Sequence, residues 1–176
     1  MLGVGRNLAT VLNIFNMNIR NANSNDLESI YKIETACFPA NQAASLNTLS
    51  TRLKVFPQHF WLIEDKGEIV GFINGMITNN ETIKDEMFKN AELHIEDGIW
   101  QSVFGLAVLP KYQNQGYAGK LLHHLTNVSL QKKRKGIILT CEKPLISYYQ
   151  KFGFLNVGLS ASVHGGDVFF DMKKEL

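Results

Sequence analysis

Residues 102–125 read SVFGLAVLPKYQNQGYAGKLLHHL, and the organisation of the chain can be worked outward from this stretch. Val103–Val108 is an apolar, strand-like run closed by Pro110. From Gly116 onward the period changes, and Ala118, Leu121, Leu122, Leu125 and Val128 recur on one helical face. The corner between them is Gln113-Asn114-Gln115-Gly116-Tyr117-Ala118-Gly119. First-turn N–H groups of a helix lack partners within the helix, and the helix dipole favours negative charge, so such a corner suits an anion. Gly116 and Gly119 would let a diphosphate come close to the backbone, and Ala118 keeps the same face small. On the glycines alone, a plain strand–turn–helix corner is an equal reading. The pattern is neither a P-loop, since no Gly-Lys-Ser/Thr follows, nor GxGxxG.

Upstream, Met17–Arg20 is expected as a strand. Asn25 would cap a helix over Asp26–Cys37, with Glu28 three residues on as in a capping box. Pro39 blocks its continuation, and Ser45–Val55 forms a second helix. His59–Glu64 and Glu68–Thr78 read as a hairpin across Asp65-Lys66-Gly67. Residues 79–97 are polar and acidic and read as a mobile connection with one helical turn at Ile83–Lys89. Trp100–Val108 is the fourth strand. Downstream come a helix over Gly116–Lys135 ended by Gly136, a strand over Ile137–Cys141, a helix over Pro144–Lys151 and strands over Phe154–Ser160 and Val168–Lys174. Strand–helix–strand units imply parallel pairs and the hairpins antiparallel ones, so a mixed α+β sheet is expected. Residues 17–176 read as one domain. Residues 1–16 read as an extension upstream of a start at Met17.

The chain has 176 residues, 45% of them hydrophobic, which suits a soluble globular core. Its 18 basic and 16 acidic residues leave a net charge of +2, which gives no reason to expect nucleic acid. No apolar run approaches the ~20 residues that span a bilayer, so no membrane partner is expected. The two cysteines, Cys37 and Cys141, form no CxxC or Cys/His cluster. They read as reduced, buried and cytoplasmic, with no metal. Exposed sheet edges leave a monomer or a homodimer.

Gln113-x-x-Gly116-x-Ala118 resembles the Q/R-x-x-G-x-G/A signature of GNAT N-acetyltransferases, with the strand and Pro110 in the family's places. Leu139-Thr140-Cys141-Glu142, Ser147-Tyr148-Tyr149-Gln150-Lys151 and Phe152-Gly153-Phe154 are similar to the arylalkylamine (serotonin) branch. The first helix, with Glu34 and Phe38, and the strand Val168–Met172 lie on the same branch, so the likeness covers about residues 17–174. The resemblance implies the GNAT fold: an α/β/α sandwich, a mixed, mostly antiparallel central sheet, a splayed parallel pair of the fourth and fifth strands, and about four helices. It also implies acetyl-CoA as cosubstrate and a small-molecule amine as acceptor. Leu106, Ala107 and Val108 would meet the pantetheine arm. Gln113, Asn114, Gln115, Gly116, Tyr117, Ala118, Gly119 and Lys120 would surround the phosphates. A neutral amine would attack the thioester directly, with both substrates bound. Tyr149 falls where the branch has the acid that protonates the departing thiolate, and a phenol with a pKa of about 10 is protonated at neutral pH. The alternative reading of Tyr149 is a buried packing aromatic, and its place in the Tyr148–Phe154 block favours the acid.

The match fails at the base. Where the branch carries two histidines on the fourth strand, this chain has Ser102 and Phe104. Ser102 can orient water and Phe104 cannot carry a proton. His164, Glu34, His94, Glu96 and Asp97 are the replacements. Phe38, Leu46, His164, Asp167 and Phe169 fall on acceptor-pocket positions, together with Glu34. A carboxylate at Asp167 favours a polyamine-like acceptor alongside an arylalkylamine, although Gly165-Gly166-Asp167 also reads as turn chemistry. The competing functions are acetylation of a protein N-terminus or lysine, and an acyl-CoA sensor without catalysis.

Overall fold

The computed structural model describes residues 16–176, so the expected extension over residues 1–16 lies, apart from Asn16, outside them. In order these residues form β1 (Met17–Asn21), α1 (Leu27–Cys37), α2 (Leu46–Val55), β2 (Phe60–Asp65), β3 (Glu68–Asn74), β4 (Ile77–Thr78), α3 (Asp85–Lys89), β5 (Trp100–Val103), β6 (Gly105–Val108), α4 (Tyr117–Gln131), β7 (Gly136–Cys141), α5 (Ile146–Gln150), β8 (Leu155–Leu159) and β9 (Phe170–Glu175). The strands make two sheets, ordered β1-β2-β3-β6 and β4-β5-β7-β9-β8. All pairs are antiparallel except β5 with β7, where Ser102 stands opposite Ile138. No helix of the described residues is long and apolar enough to cross a membrane.

Alternation along the strands of the first sheet feeds two cores. Ile63, Val70 and Ile73 pack with Leu121, Leu122 and Leu125 of α4 on one face. Leu62, Phe72 and Ala107 pack with Ile30, Ile33 and Leu49 of α1 and α2 on the other. This is the two-sided layering expected, with five α-helices in place of about four, because α3 is added.

The single strand expected over Trp100–Val108 is two strands. At Phe104 the chain changes sheets: β5 stays beside β7, while β6 pairs with β3 through Gly71↔Val108 and Asn74↔Gly105. The hairpin partner breaks in step, at Gly75 between β3 and β4. A Cβ at Gly75 would collide with the Ser102 carbonyl, so the glycine is what lets the two breaks nest. Beyond Leu139 the strand β7 runs on to Cys141 with no strand beside it on the β6 side, and a V opens between the sheets.

Other boundaries shift for local reasons. The capping box is Asn23 with Asp26, serving a 3-10 turn at Ser24–Asp26, in place of Asn25 with Glu28. Helix α4 stops at Gln131, short of Lys135. The Lys132 and Lys133 N–H groups bond back to Val128 and Leu130, Lys133 takes a φ of 55°, and Gly136 opens β7. Residues 79–97 are not a loose connection. Ile83, Met87, Phe88 and Ala91 are buried with Phe56, Met76, Trp100 and Ile138 in a third core cluster. Cys141 is buried as expected, whereas Cys37 is half-buried, its thiol donating to the Val108 carbonyl at 3.2 Å.

Candidate active site

The corner before α4 is held open from both sides. Gly116 is the N-cap of α4 at φ 88°, a left-handed conformation that a side chain resists, and nothing lies within 4 Å of where its Cβ would be. Asn114 also has positive φ, at 60°, which asparagine tolerates better than most residues. No side chain caps the helix, and its first backbone bond runs from the Lys120 N–H to the Gly116 carbonyl. The N–H groups of the first turn are therefore free of helix partners, as anion binding requires. Gly119 is small for a different reason: a Cβ there would press on the Phe152 ring at 3.1 Å. The Gln113 side chain donates to the Val108 carbonyl at 2.9 Å and ties the corner to β6. The Tyr117 hydroxyl donates to Asp65 at 2.7 Å, which pushes the phenol up to about 12 and pins the helix start to β2. A cavity of about 410 Å³ opens here, lined by Gln113, Asn114, Gly116, Tyr117, Ala118 and Gly119 together with Leu106, Val108 and Tyr149.

A second cavity, of about 280 Å³, fills the V. Val103–Leu106 line one arm, Leu139–Glu142 the other, and Cys37, Phe38, Phe169 and Tyr149 complete it. Leu106, Leu145 and Tyr149 line both cavities, so Tyr149 stands at their junction. Burial pushes its hydroxyl far above the ordinary phenol value, which keeps the proton on. Glu34 and His164 also line the second cavity. Glu34 is no helix-surface residue: it is 5% exposed, its carboxylate accepts the Ala44 N–H at 2.7 Å, and burial raises its pKa above the usual carboxylate value. His164 places Nε2 at 2.9 Å from the Gln42 carbonyl and stacks on Phe88. A carbonyl only accepts, so Nε2 carries the proton and Nδ1 keeps a lone pair.

A smaller chamber of about 180 Å³ continues from this cavity and shares Glu34, Gln42, Phe88, Phe104 and His164 with it. Arg52, buried at 5% exposure, and Lys89 also line it; sequence reading passed over Arg52 because an arginine in the last turn of a helix is ordinary.

Several expected site residues stand elsewhere. Ser102 is fully buried, and its hydroxyl donates to the Met76 carbonyl at 2.8 Å, so it meets no water in the V. Leu46 is exposed on the first turn of α2. Asp167 accepts from Asn41 at 2.9 Å and Gln42 at 2.7 Å and closes a turn instead of facing the acceptor. The Ala107 side chain packs into the α1 core, while its backbone lies in β6 opposite Phe72 of β3. The Gln115 side chain donates to the Lys111 carbonyl, and Lys120 lies over the Tyr117 ring. His94 and Glu96 turn away from the V: both His94 Nε2 (3.0 Å) and His59 Nε2 (2.8 Å) meet Glu96 Oε2, while Arg134 meets Oε1 (3.2 Å). Asp97 is exposed beside them. His59, His94 and Glu96 have metal-like spacing. However, His94 Nδ1 accepts the Ile77 N–H at 3.1 Å, so the neutral ring carries its proton on Nε2 and donates to Glu96. The cluster is a hydrogen-bonded clip holding the 79–98 segment to the end of α4.

Comparison with known proteins points the same way. Residues 27–154 match the acetyltransferase (GNAT) family. The serotonin N-acetyltransferase of Mesocricetus auratus is 30% identical over 113 residues, covering 64% of this chain and 53% of that protein, so the match spans about half the length of that relative. The loading GNATL domain of CurA from Lyngbya majuscula superposes with a TM-score of 0.80 at 19% identity, covering 90% of this chain and 97% of that one. Arabidopsis thaliana Naa50, solved with a bisubstrate analogue, gives 0.71 at 16% identity over 92% and 99%. Unpaired amides at the start of α4, a V between β6 and β7, and a family match over most of the described residues lead to one conclusion: this chain belongs to the acetyltransferase (GNAT) family.

Proposed function

We propose that the chain transfers the acetyl group of acetyl-CoA to the primary amine of a small acceptor, by direct attack while both are bound. The observation that carries this reading is the position of Tyr149, at the junction between the cavity over the α4 N-terminus and the cavity in the V. In this reading the first-turn amides of α4 hold the diphosphate. The free edge of β6, at Leu106 and Val108, runs alongside the pantetheine arm and sets the thioester next to Tyr149. Gln113 braces the corner, and Asn114 and Gly116 give it its shape.

The acceptor enters the V as an ammonium ion and meets the carboxyl oxygens of Glu34. His164 Nδ1 takes its proton, and the neutral nitrogen attacks the thioester carbonyl. The C–N bond forms as the C–S bond breaks, the departing thiolate takes the Tyr149 proton, and the second proton shed by the acylated nitrogen returns Tyr149 to the neutral phenol. Phe38 and Phe169 form the apolar wall of the acceptor cavity.

Release of free CoA thiol in the presence of a panel of primary amines tests the reading. Saturable, amine-dependent release supports it. Acetyl-CoA binding with no release by any amine or peptide identifies an acyl-CoA-binding module instead, and release by peptides alone points to a protein acetyltransferase.

A further inference from the structure

We infer that the acceptor amine also carries a carboxylate, and that Arg52 binds this carboxylate in the side chamber; the inference rests on the acetyl-transfer reading above. Arg52 is 5% exposed. Its Nη1 donates to the Asn74 side-chain carbonyl at 3.2 Å and its Nη2 to the Phe88 carbonyl at 3.0 Å. These are two neutral acceptors for a group that carries five N–H donors. Among the described residues no carboxylate lies within ion-pair distance of it. Burial lowers the guanidinium to about 10, so it is still charged at neutral pH. Glu34 acts on the guanidinium through space without bonding to it, and a buried cation with no directly bonded anion is costly, which makes sense where a ligand supplies one.

The surroundings select what that anion is. The guanidinium lies 4.8 Å from the centre of the Phe104 ring, and its two neutral bonds fix the fork. A fixed planar fork matches a planar carboxylate by paired N–H···O bonds, which a lysine could not do. The chamber holds about 180 Å³, room for a carboxylate and a few carbons. It opens into the acceptor cavity through residues common to both, Glu34 and His164 among them. The site thus presents the Glu34 carboxyl and a histidine lone pair on residues common to both cavities, and the buried Arg52, with the more exposed Lys89, on the side chamber alone. That sequence of charges complements a dipolar acceptor, an amino acid or a related amino-carboxylate. It does not complement a polyamine, whose second positive charge would meet Arg52.

The test compares matched acceptors on the full chain with acetyl-CoA: an amino acid, its carboxamide and its decarboxylated amine, such as phenylalanine, phenylalaninamide and phenethylamine, with the alanine series beside it. The acid should exceed both neutral counterparts by about tenfold or more in kcat/KM, because a site built to bind a charged group discriminates against its absence. In Arg52→Met the ratio should fall to about one, with Arg52→Lys in between. The ratio is taken within one preparation, so loss of folded protein cancels. If Arg52→Met does not fold, the wild-type series and Arg52→Lys still decide. Equal or better use of the carboxamide or the plain amine by the wild type overturns the inference, as does a ratio that survives in Arg52→Met. Turnover of plain amines alone overturns it and leaves acetyl transfer standing, whereas no CoA release with any acceptor removes both.

Discussion

The corner at Asn114–Gly119 and the chamber around Arg52 adjoin the same cavity system but are built from opposite materials. The corner is contiguous backbone: a left-handed glycine, a left-handed asparagine and a helix start without a side-chain cap. Among the described residues no charged side chain lines it. The chamber is made of side chains, Glu34 from α1, Arg52 from α2, Phe88 from α3, Phe104 from the break between β5 and β6, and His164 from a late turn. The corner offers partial positive charge to any phosphate. The chamber offers full charges of both signs at set positions. A cosubstrate shared by many enzymes can be held by the first kind of site, while the choice of acceptor needs the second.

Changes at each region should separate their effects. The largest is expected where the two regions meet. Tyr149→Phe should lower kcat by about 10²- to 10⁴-fold, the span of a lost general acid, with acetyl-CoA affinity nearly unchanged. A Tyr149→Phe enzyme with full kcat would make Tyr149 a packing residue. Next, Gly116→Val should break the corner alone. Forcing a side chain into φ 88° costs about 1–2 kcal/mol of stability, and acetyl-CoA affinity should fall as the amides are displaced. Denaturant unfolding and calorimetry read the two effects.

In the chamber, Glu34→Gln should act through pH. Burial raises the Glu34 carboxyl above its unfolded value. The folded state therefore favours the protonated acid, and that stability is fully present below the unfolded pKa and lost as pH rises through the folded one. Glu34→Gln should gain in Tm relative to wild type as pH rises through this window, and the gain should vanish in acid. A pH-independent difference would contradict the burial account. The smallest effect belongs to Asp167→Ala, which should leave the ranking of acceptor amines unchanged in kcat/KM, because this carboxylate closes a turn onto Asn41 and Gln42.

The same contrast explains what could be read in advance. The corner, the helix that follows it and the hairpins were legible because each rests on neighbours in sequence: a glycine before a helical stripe, or turn residues between apolar runs. The break at Phe104 was not legible, because Val103–Val108 is apolar on both sides of it and the interruption comes from Gly75 meeting the Ser102 carbonyl across the sheet. Residues 79–97 looked mobile by composition, yet Ile83, Met87, Phe88 and Ala91 suffice to bury the segment once Trp100 and Ile138 are beside it. Glu34 looked like a surface residue because its burial comes from the loop before α2, whose Ala44 N–H it accepts. Arg52 gave no local signal at all. Its partners are a strand side chain and a carbonyl in a segment that composition alone marked as a connection.

The account depends above all on the amides at the start of α4, and these can be watched directly. Titration of the ¹⁵N-labelled protein with CoA should shift the backbone resonances of Tyr117, Ala118 and Gly119 most, saturating together with Leu106 on β6. Saturable binding that leaves those amides unmoved, or no saturable binding, would contradict it.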